Sequence, residues 1–241
     1  MNVKIDYVPP ESDEQAVIEE YIKNTADSQI SFSTHKVKIF KIEREGESQN
    51  LEKFKPIGNR RLLFHGSSLF NFVGILSQGL RIAPPEAPVT GYMFGKGVYF
   101  ADMFSKSLAY SSSRISNKQE STLLLLCDVA LGNMREINGA EYIEELPAHY
   151  HSVRGLGQRG PNYDKSLTLP SGALIPNGRV QAYEVTDEVR RNFKPSPWGG
   201  AQQPSYALAH NEFVVYNTEQ IKMQYLLQVV KKTKEEMEGN K

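Results

Sequence analysis

The chain has 241 residues, a length that fits one large domain with a sizeable core. Its 28 Lys and Arg residues balance its 28 Asp and Glu residues, which excludes a chain that grips phosphate backbones over its whole surface. A hydrophobic content of 39% with 23% charged residues excludes disorder as the main state.

The first half of the chain mixes helices and strands. Ser12 and Gln15 form a capping box ahead of apolar residues at helical spacing, which predicts the first helix. The predicted elements of this half are, in chain order, a helix over about 13–24, strands over 37–42 and 60–65, and a helix from Ser68 that ends at Gly79.

The second half is richer in strands. Prolines and glycines crowd residues 84–97 and predict a loop. The elements predicted after it are a strand over 98–101, a helix capped by Asp102, a strand over 121–131, a glycine- and proline-rich region over 145–206, strands over 212–216 and 221–229, and a solvated tail over 231–241. Many strands, few helices and no regular alternation predict an α+β fold with a largely antiparallel sheet.

Several local motifs do not carry function. Gly155–Gly160 matches the dinucleotide fingerprint by letter, but no helical pattern follows it, so a flexible loop is predicted there. His149 and His151 have no third ligand nearby in sequence, and we predict no metal site.

The single cysteine points to the compartment. Cys127 lies in a run of leucines and is predicted to be an inert core residue, and the lack of a second cysteine favours a reducing intracellular compartment. The N-terminus has no apolar signal core, and the longest aliphatic run, Leu123–Leu126, is too short to span a bilayer. Neither export nor membrane insertion is predicted.

Three polar residues stand at strand ends. His65 follows an apolar run, Tyr99 lies inside one, and Glu212 precedes one. A carboxylate that leads a buried strand is unusual, since an unpaired buried charge is expensive. Taken singly, the three also fit a core histidine, a packing aromatic and an edge carboxylate.

The surrounding segments resemble the catalytic domain of the poly(ADP-ribose) polymerases, with the DNA-damage-responsive branch the most similar. The resemblance covers nearly the whole chain and rests on IFKIEREGE at 39–47, HGS at 65–67, GLRIAPPEAP at 79–88, GYMFGKGVYFAD at 91–102, KS at 106–107, VALGNM at 129–134, SVRGLG at 152–157 and NEFVVY at 211–216.

The resemblance implies an ADP-ribosyltransferase fold, which is α+β with split, largely antiparallel β-sheets and short flanking helices. It implies one catalytic domain over 1–241. The helical regulatory domain that precedes this region in members of the branch is not expected within this chain. NAD+ is the implied substrate, consumed in the reaction, and no metal is implied.

The resemblance also implies a catalytic triad of His65, Tyr99 and Glu212. Glu212 would hold the 2'-hydroxyl of the nicotinamide ribose, stabilise the developing cation and orient an acceptor hydroxyl. His65 would hydrogen-bond a ribose hydroxyl. Tyr99 and Tyr110 would sandwich the nicotinamide ring.

Further NAD+ contacts follow from the same resemblance. The backbone of Gly66 and the hydroxyl of Ser107 would bind the carboxamide, with glycine explained by close approach of the ligand. Lys106 would assist acceptor chemistry or be a plain surface lysine. The residues implied on the adenosine side are Ser67, Asn71, Arg81 and Tyr92.

Two features leave the acceptor open. His210 stands where arginine-specific relatives have a second glutamate, which disfavours arginine modification, and residues 181–204 are longer than the matching stretch of the family. We therefore expect a transferase that extends poly(ADP-ribose) on protein acceptors, including itself. A mono-ADP-ribosyltransferase, a NAD+ glycohydrolase and a non-catalytic NAD+-binding module stay open. A nuclear location, and contact with DNA only through domains outside this chain, are implied by the resemblance.

Overall fold

A computed structural model describes residues 2–26, 35–84, 86, 91–112, 121–193 and 203–231. Its α-helices are α1 Asp13–Thr25, α2 Glu47–Lys53, α3 Phe72–Gln78, α4 Phe104–Ser112 and α5 Asp187–Asn192. Its strands are β1 Val3–Tyr7, β2 His35–Arg44, β3 Arg60–Gly66, β4 Val98–Phe100, β5 Ser121–Ala130, β6 Met134–Ile137, β7 Ser152–Gly155, β8 Gly157–Pro161, β9 Leu167–Thr168, β10 Leu174–Ile175, β11 Val180–Ala182, β12 Leu208–His210, β13 Glu212–Val215 and β14 Ile221–Lys231.

The strands form three sheets. The largest has seven strands in the order β1-β2-β14-β5-β3-β10-β9, the second has the order β4-β13-β7-β6, and the third has the order β11-β8-β12. Within the described ranges, eight pairings are antiparallel, and three, β3 with β10, β6 with β7 and β8 with β12, are parallel. The predicted α+β class with largely antiparallel split sheets is confirmed.

Strand β5 shows why the core has two layers. Side chains alternate across a strand, so Leu124 and Leu126 pack with α1 and α4 on one face of the large sheet. Leu125 and Cys127 pack on the other face against β4 and β13 of the second sheet. The run of leucines is therefore buried on both sides, and burial raises the pKa of the Cys127 thiol well above its usual range.

The helix starts are only partly as the sequence predicts. Ser12 caps α1 by accepting a hydrogen bond from the backbone of Gln15, as its capping box indicates. The prediction that Asp102 caps α4 is wrong. The Asp102 carboxylate instead accepts hydrogen bonds from Tyr163 and Asn211, and the Phe104 N–H at the start of α4 donates to the Thr25 hydroxyl.

The predicted flexible loop at 155–160 is wrong, because Gly155 ends β7 and residues 157–160 belong to β8, with only Leu156 between the two strands. The glycines there permit close approach of neighbouring chains. A Cβ on Gly155 would lie 2.6 Å from the Phe94 ring, and one on Gly157 would lie 2.2 Å from the His210 backbone. Strand β1 was not expected, since Val3–Tyr7 is mostly exposed and gains order from its pairing with β2.

Parts of some predicted segments lie outside the described residues, namely 85 and 87–90 of the proline-rich loop, 194–202 of the long acceptor-side stretch, and 232–241 of the tail. Among the described helices, none is long and apolar enough to cross a membrane.

We expect removal of one partner of the buried ion pair between β3 and β5 to be strongly destabilising. Arg60 Nε lies 3.1 Å from Asp128 Oδ1, and the side chain of Asp128 is 4% exposed. Asp128→Ala leaves the Arg60 guanidinium without its buried partner and should lower the free energy of unfolding by about 3–5 kcal/mol. Thermal denaturation measures the loss. Glu52→Ala, which removes the exposed pair with Lys55, is the control and should cost less than about 1 kcal/mol.

Candidate active site

The two larger sheets meet at a pair of backbone hydrogen bonds. The Phe64 N–H donates to the Ala101 carbonyl at 2.8 Å, and the Ala101 N–H donates to the Phe64 carbonyl at 2.9 Å. His65 follows on β3, and its Nδ1 lies 2.8 Å from the carbonyl oxygen of Tyr99 on β4. The junction therefore places two residues of the predicted triad side by side.

The contact with Tyr99 determines the tautomer of His65. A carbonyl oxygen can only accept, so Nδ1 carries the proton and donates it, and Nε2 of the neutral ring is an acceptor. Burial lowers the pKa of His65, partly opposed by the hydrogen bond to Tyr99. The neutral ring is thus available to accept a hydrogen bond from a hydroxyl group at neutral pH.

The hydroxyl of Tyr99 anchors the end of the proline- and glycine-rich loop. It donates to the Gly95 carbonyl at 2.6 Å and accepts from the Phe94 N–H at 3.0 Å. Tyr216 donates to the Phe94 carbonyl from the other side. Burial raises the pKa of Tyr99 far above its usual range, so the phenol stays protonated and keeps donating.

Glu212 begins β13 and is 8% exposed. Lys106, on α4, places its Nζ 3.3 Å from Glu212 Oε1. The same Nζ donates to the backbone carbonyls of His210 at 3.2 Å and Asn211 at 3.0 Å. Burial lowers the pKa of Lys106, and the Glu212 carboxylate opposes this shift. Lys106 is therefore not a plain surface lysine but a buried partner of Glu212.

Gly66 is where β3 touches α4. A Cβ built on Gly66 would lie 1.9 Å from the backbone oxygen of Ser107, a distance that no side chain tolerates. The resemblance explains this glycine by the approach of a ligand, and the structure adds a nearer cause in the Ser107 backbone. The two residues predicted to bind the carboxamide are thus in direct contact.

The predicted site residues line two adjoining cavities. The first, of about 580 Å³, contains eight of the eleven, His65, Gly66, Tyr92, Tyr99, Lys106, Ser107, Tyr110 and Glu212. The second, of about 570 Å³, contains the other three, Ser67, Asn71 and Arg81. His65, Tyr92 and Tyr99 line both cavities. A molecule with two linked halves fits this division.

Other residues of the first cavity were not predicted from the sequence, among them Ala140, Leu208 and Ala209. Nothing in their local pattern marks them, because strand β12 and the segment around Ala140, both distant in sequence from the predicted residues, bring them to the cleft. Across the described part of the chain, no three His, Cys, Asp or Glu side chains cluster closely enough to hold a metal ion.

Split sheets that open a cleft at their junction, with short helices on the flanks, place the chain in the class of ADP-ribosyltransferase folds. A family model for the poly(ADP-ribose) polymerase catalytic domain matches residues 12–231. The chain belongs to this family, and the family predicted from the sequence is confirmed.

Individual relatives agree with this membership. The chain is 47% identical over 228 residues to poly [ADP-ribose] polymerase 2-A of Oryza sativa subsp. japonica, covering 93% of the chain and 32% of the relative. It is 44% identical over 230 residues to poly [ADP-ribose] polymerase 1 of Gallus gallus, covering 95% of the chain and 21% of the relative. The chain thus spans between a fifth and a third of the length of these relatives.

The contact between Gly66 and Ser107 generates a prediction. Gly66→Ala should push β3 and α4 apart, lower the free energy of unfolding by about 1–3 kcal/mol, and disturb the cleft between them. Gly74→Ala is the matched control, since a Cβ there meets nothing within 4 Å. Alanine in the middle of α3 should raise stability by about 0.5–1 kcal/mol. Thermal denaturation of both variants measures the difference, and equal stabilities would contradict this account of Gly66.

Proposed function

We propose that the chain cleaves the bond between nicotinamide and ribose in NAD+, transfers ADP-ribose to protein acceptors, and extends poly(ADP-ribose). The observation that carries the proposal is the convergence of His65, Tyr99 and Glu212 on one cleft of about 580 Å³. Membership of the poly(ADP-ribose) polymerase catalytic domain family supports the same reaction.

The two adjoining cavities suggest how NAD+ binds. We propose that the nicotinamide half lies in the first cavity, between Tyr99 and Tyr110, and that the adenosine half lies beside Asn71 and Arg81 in the second. His65 borders both cavities and is neutral, so its Nε2 accepts a hydrogen bond from a ribose hydroxyl. Gly66 and Ser107 bind the carboxamide at the closed end.

The bond that breaks joins the nicotinamide nitrogen to C1' of the ribose. Its electron pair leaves with neutral nicotinamide, and positive charge develops on the ribose, which the Glu212 carboxylate stabilises. The acceptor hydroxyl oxygen then bonds to C1', and its proton passes to Glu212 and on to water. Lys106 holds the Glu212 carboxylate in place through the contact between its Nζ and Glu212 Oε1.

We propose the partners from membership of the same family. The acceptors are proteins, including copies of this chain, and any DNA sensing belongs to domains outside these residues, in a nuclear protein. The zero net charge of the chain supports a catalytic module that does not itself grip DNA. A catalytic module that does not bind DNA should consume NAD+ as an isolated chain without added DNA.

Incubation with labelled NAD+ tests the proposal directly. A ladder of products establishes polymer extension. A single addition would instead establish a mono-ADP-ribosyltransferase, and free ADP-ribose alone would establish a glycohydrolase. Binding without turnover would leave only a NAD+-binding module.

Glu212→Gln should retain NAD+ binding and lose elongation by about 100-fold, because the amide keeps the shape of the side chain and removes its charge. Polymer length is measured on gels, and NAD+ affinity by calorimetry. Glu219→Gln makes the same exchange at an exposed residue outside the cleft and should leave elongation unchanged. Polymer of normal length from Glu212→Gln would refute the role proposed for this carboxylate.

The lowered pKa of His65 predicts a pH dependence. A histidine with a lowered pKa stays neutral below its ordinary value of about 6.5, and protonation at lower pH turns Nε2 from an acceptor into a donor. The KM for NAD+ should therefore be flat from about pH 8 to about pH 6.5 and rise below that. His65→Gln should lack this rise. A KM that already rises between about pH 8 and about pH 7 would show that His65 is not the group concerned.

A further inference from the structure

Strand pairing ends just before the catalytic carboxylate. Strands β4 and β13 pair from Val98 with Val215 to Phe100 with Phe213, and no backbone pair continues toward Glu212 on this side. Ala101 uses both of its backbone groups to bond Phe64. Two further steps of the same register bring Asp102 opposite Asn211, the residue that precedes Glu212.

A side-chain pair continues the register where the backbone pairing stops. Asn211 Nδ2 donates to Asp102 Oδ2 at 2.7 Å, and Asn211 Oδ1 accepts from the Gly157 N–H at 3.0 Å. Both side chains are fully buried. The Asn211 amide thus links the end of β4 to the start of β8 and fixes the backbone immediately ahead of Glu212.

The buried carboxylate of Asp102 is an unfavourable group to place in a core. Its Oδ2 also accepts from the Tyr163 hydroxyl at 2.8 Å, while its Oδ1 has no hydrogen-bond partner among the described residues. A buried carboxylate with one unsatisfied oxygen costs free energy that an apolar pair of similar volume would not. The group therefore specifies geometry more than it adds stability.

We infer that Asp102 and Asn211 are positioning residues that orient Glu212 for ADP-ribose transfer. The inference rests on the proposed function. Lys106 holds the carbonyls of residues 210 and 211, and the Asn211 side chain is held by Asp102 and Gly157. The Asn211 side chain is thus fixed by residues outside the NAD+-binding surface, since neither Asp102 nor Gly157 lines either cavity. A carboxylate held in this way stays aimed at the acceptor hydroxyl whose proton it takes. Loss of its position therefore lowers elongation more than hydrolysis by the smaller, freely oriented water molecule.

Asn211→Ser tests the inference, because serine is too short to reach both Asp102 and Gly157. The kcat for polymer formation should fall by about 10- to 100-fold, while the KM for NAD+ stays within about twofold. The ratio of elongation to NAD+ hydrolysis, measured in one sample, should also fall. This ratio does not depend on how much of the protein is folded, since both reactions come from folded molecules.

Tyr163→Phe is the matched control. It removes the other hydrogen bond to the same oxygen of Asp102 and leaves the Asn211 link in place. It should lower the melting temperature but keep kcat and the product ratio within about twofold. An equal loss of kcat in Tyr163→Phe and Asn211→Ser would overturn the inference, because the Asn211 link would then have no special role.

The remaining outcomes are also decisive. An unchanged kcat and product ratio in Asn211→Ser, or a fall in both reactions with an unchanged ratio, overturns the inference while a polymer-forming wild type upholds the proposed function. A wild-type chain that does not consume NAD+ overturns the proposed function and this inference with it.

If Asn211→Ser does not fold, Asp102→Asn decides in its place. It weakens the same link without changing volume and should lower the product ratio by about threefold or more, and an unchanged ratio there overturns the inference.

Discussion

Two backbone hydrogen bonds between Phe64 and Ala101 organise the rest of the structure. They join the seven-stranded sheet to the four-stranded sheet, and several residues of the cleft lie within a few positions of them in the chain. His65 follows Phe64 directly, and α4, which carries Lys106 and Ser107, begins soon after Ala101. These bonds join backbone atoms and place the cleft where β3 meets the end of β4, and the side chains around it set its shape.

Polar groups near the cleft are held mainly by other polar groups. The Tyr99 hydroxyl is bonded to the backbone at Phe94 and Gly95, and Glu212 pairs with Lys106. Buried hydrogen-bonded networks of this kind specify one arrangement, since any other would leave a donor or acceptor unsatisfied in a medium of low polarity. The site is therefore shaped before substrate arrives, as an enzyme that works by positioning and charge stabilisation requires.

The neutral charge of the chain agrees with the proposed separation of catalysis from DNA sensing. Relatives such as the Gallus gallus polymerase are about five times as long as the region they share with it. A catalytic region whose acidic and basic residues balance gains its electrostatic effects locally, as between Lys106 and Glu212 or Arg60 and Asp128, and not from a field over its whole surface.

The sequence by itself determined the fold class, the family, most helices and long strands, and eleven of the residues that line the two cavities. Periodicity sufficed for α1 and β14, because their apolar residues repeat at the spacing of helix or strand, and a continuous apolar run sufficed for β3. Tertiary structure alone decided the roles of Asp102 and Gly66 and the strands around Gly155. Asp102 looks like a helix cap in sequence, but its hydrogen-bond partner Asn211 is 109 residues away. Gly66 is required by the Ser107 carbonyl, and Gly155 by the Phe94 ring. Contacts between residues so far apart leave no local pattern, so only the folded chain reveals them.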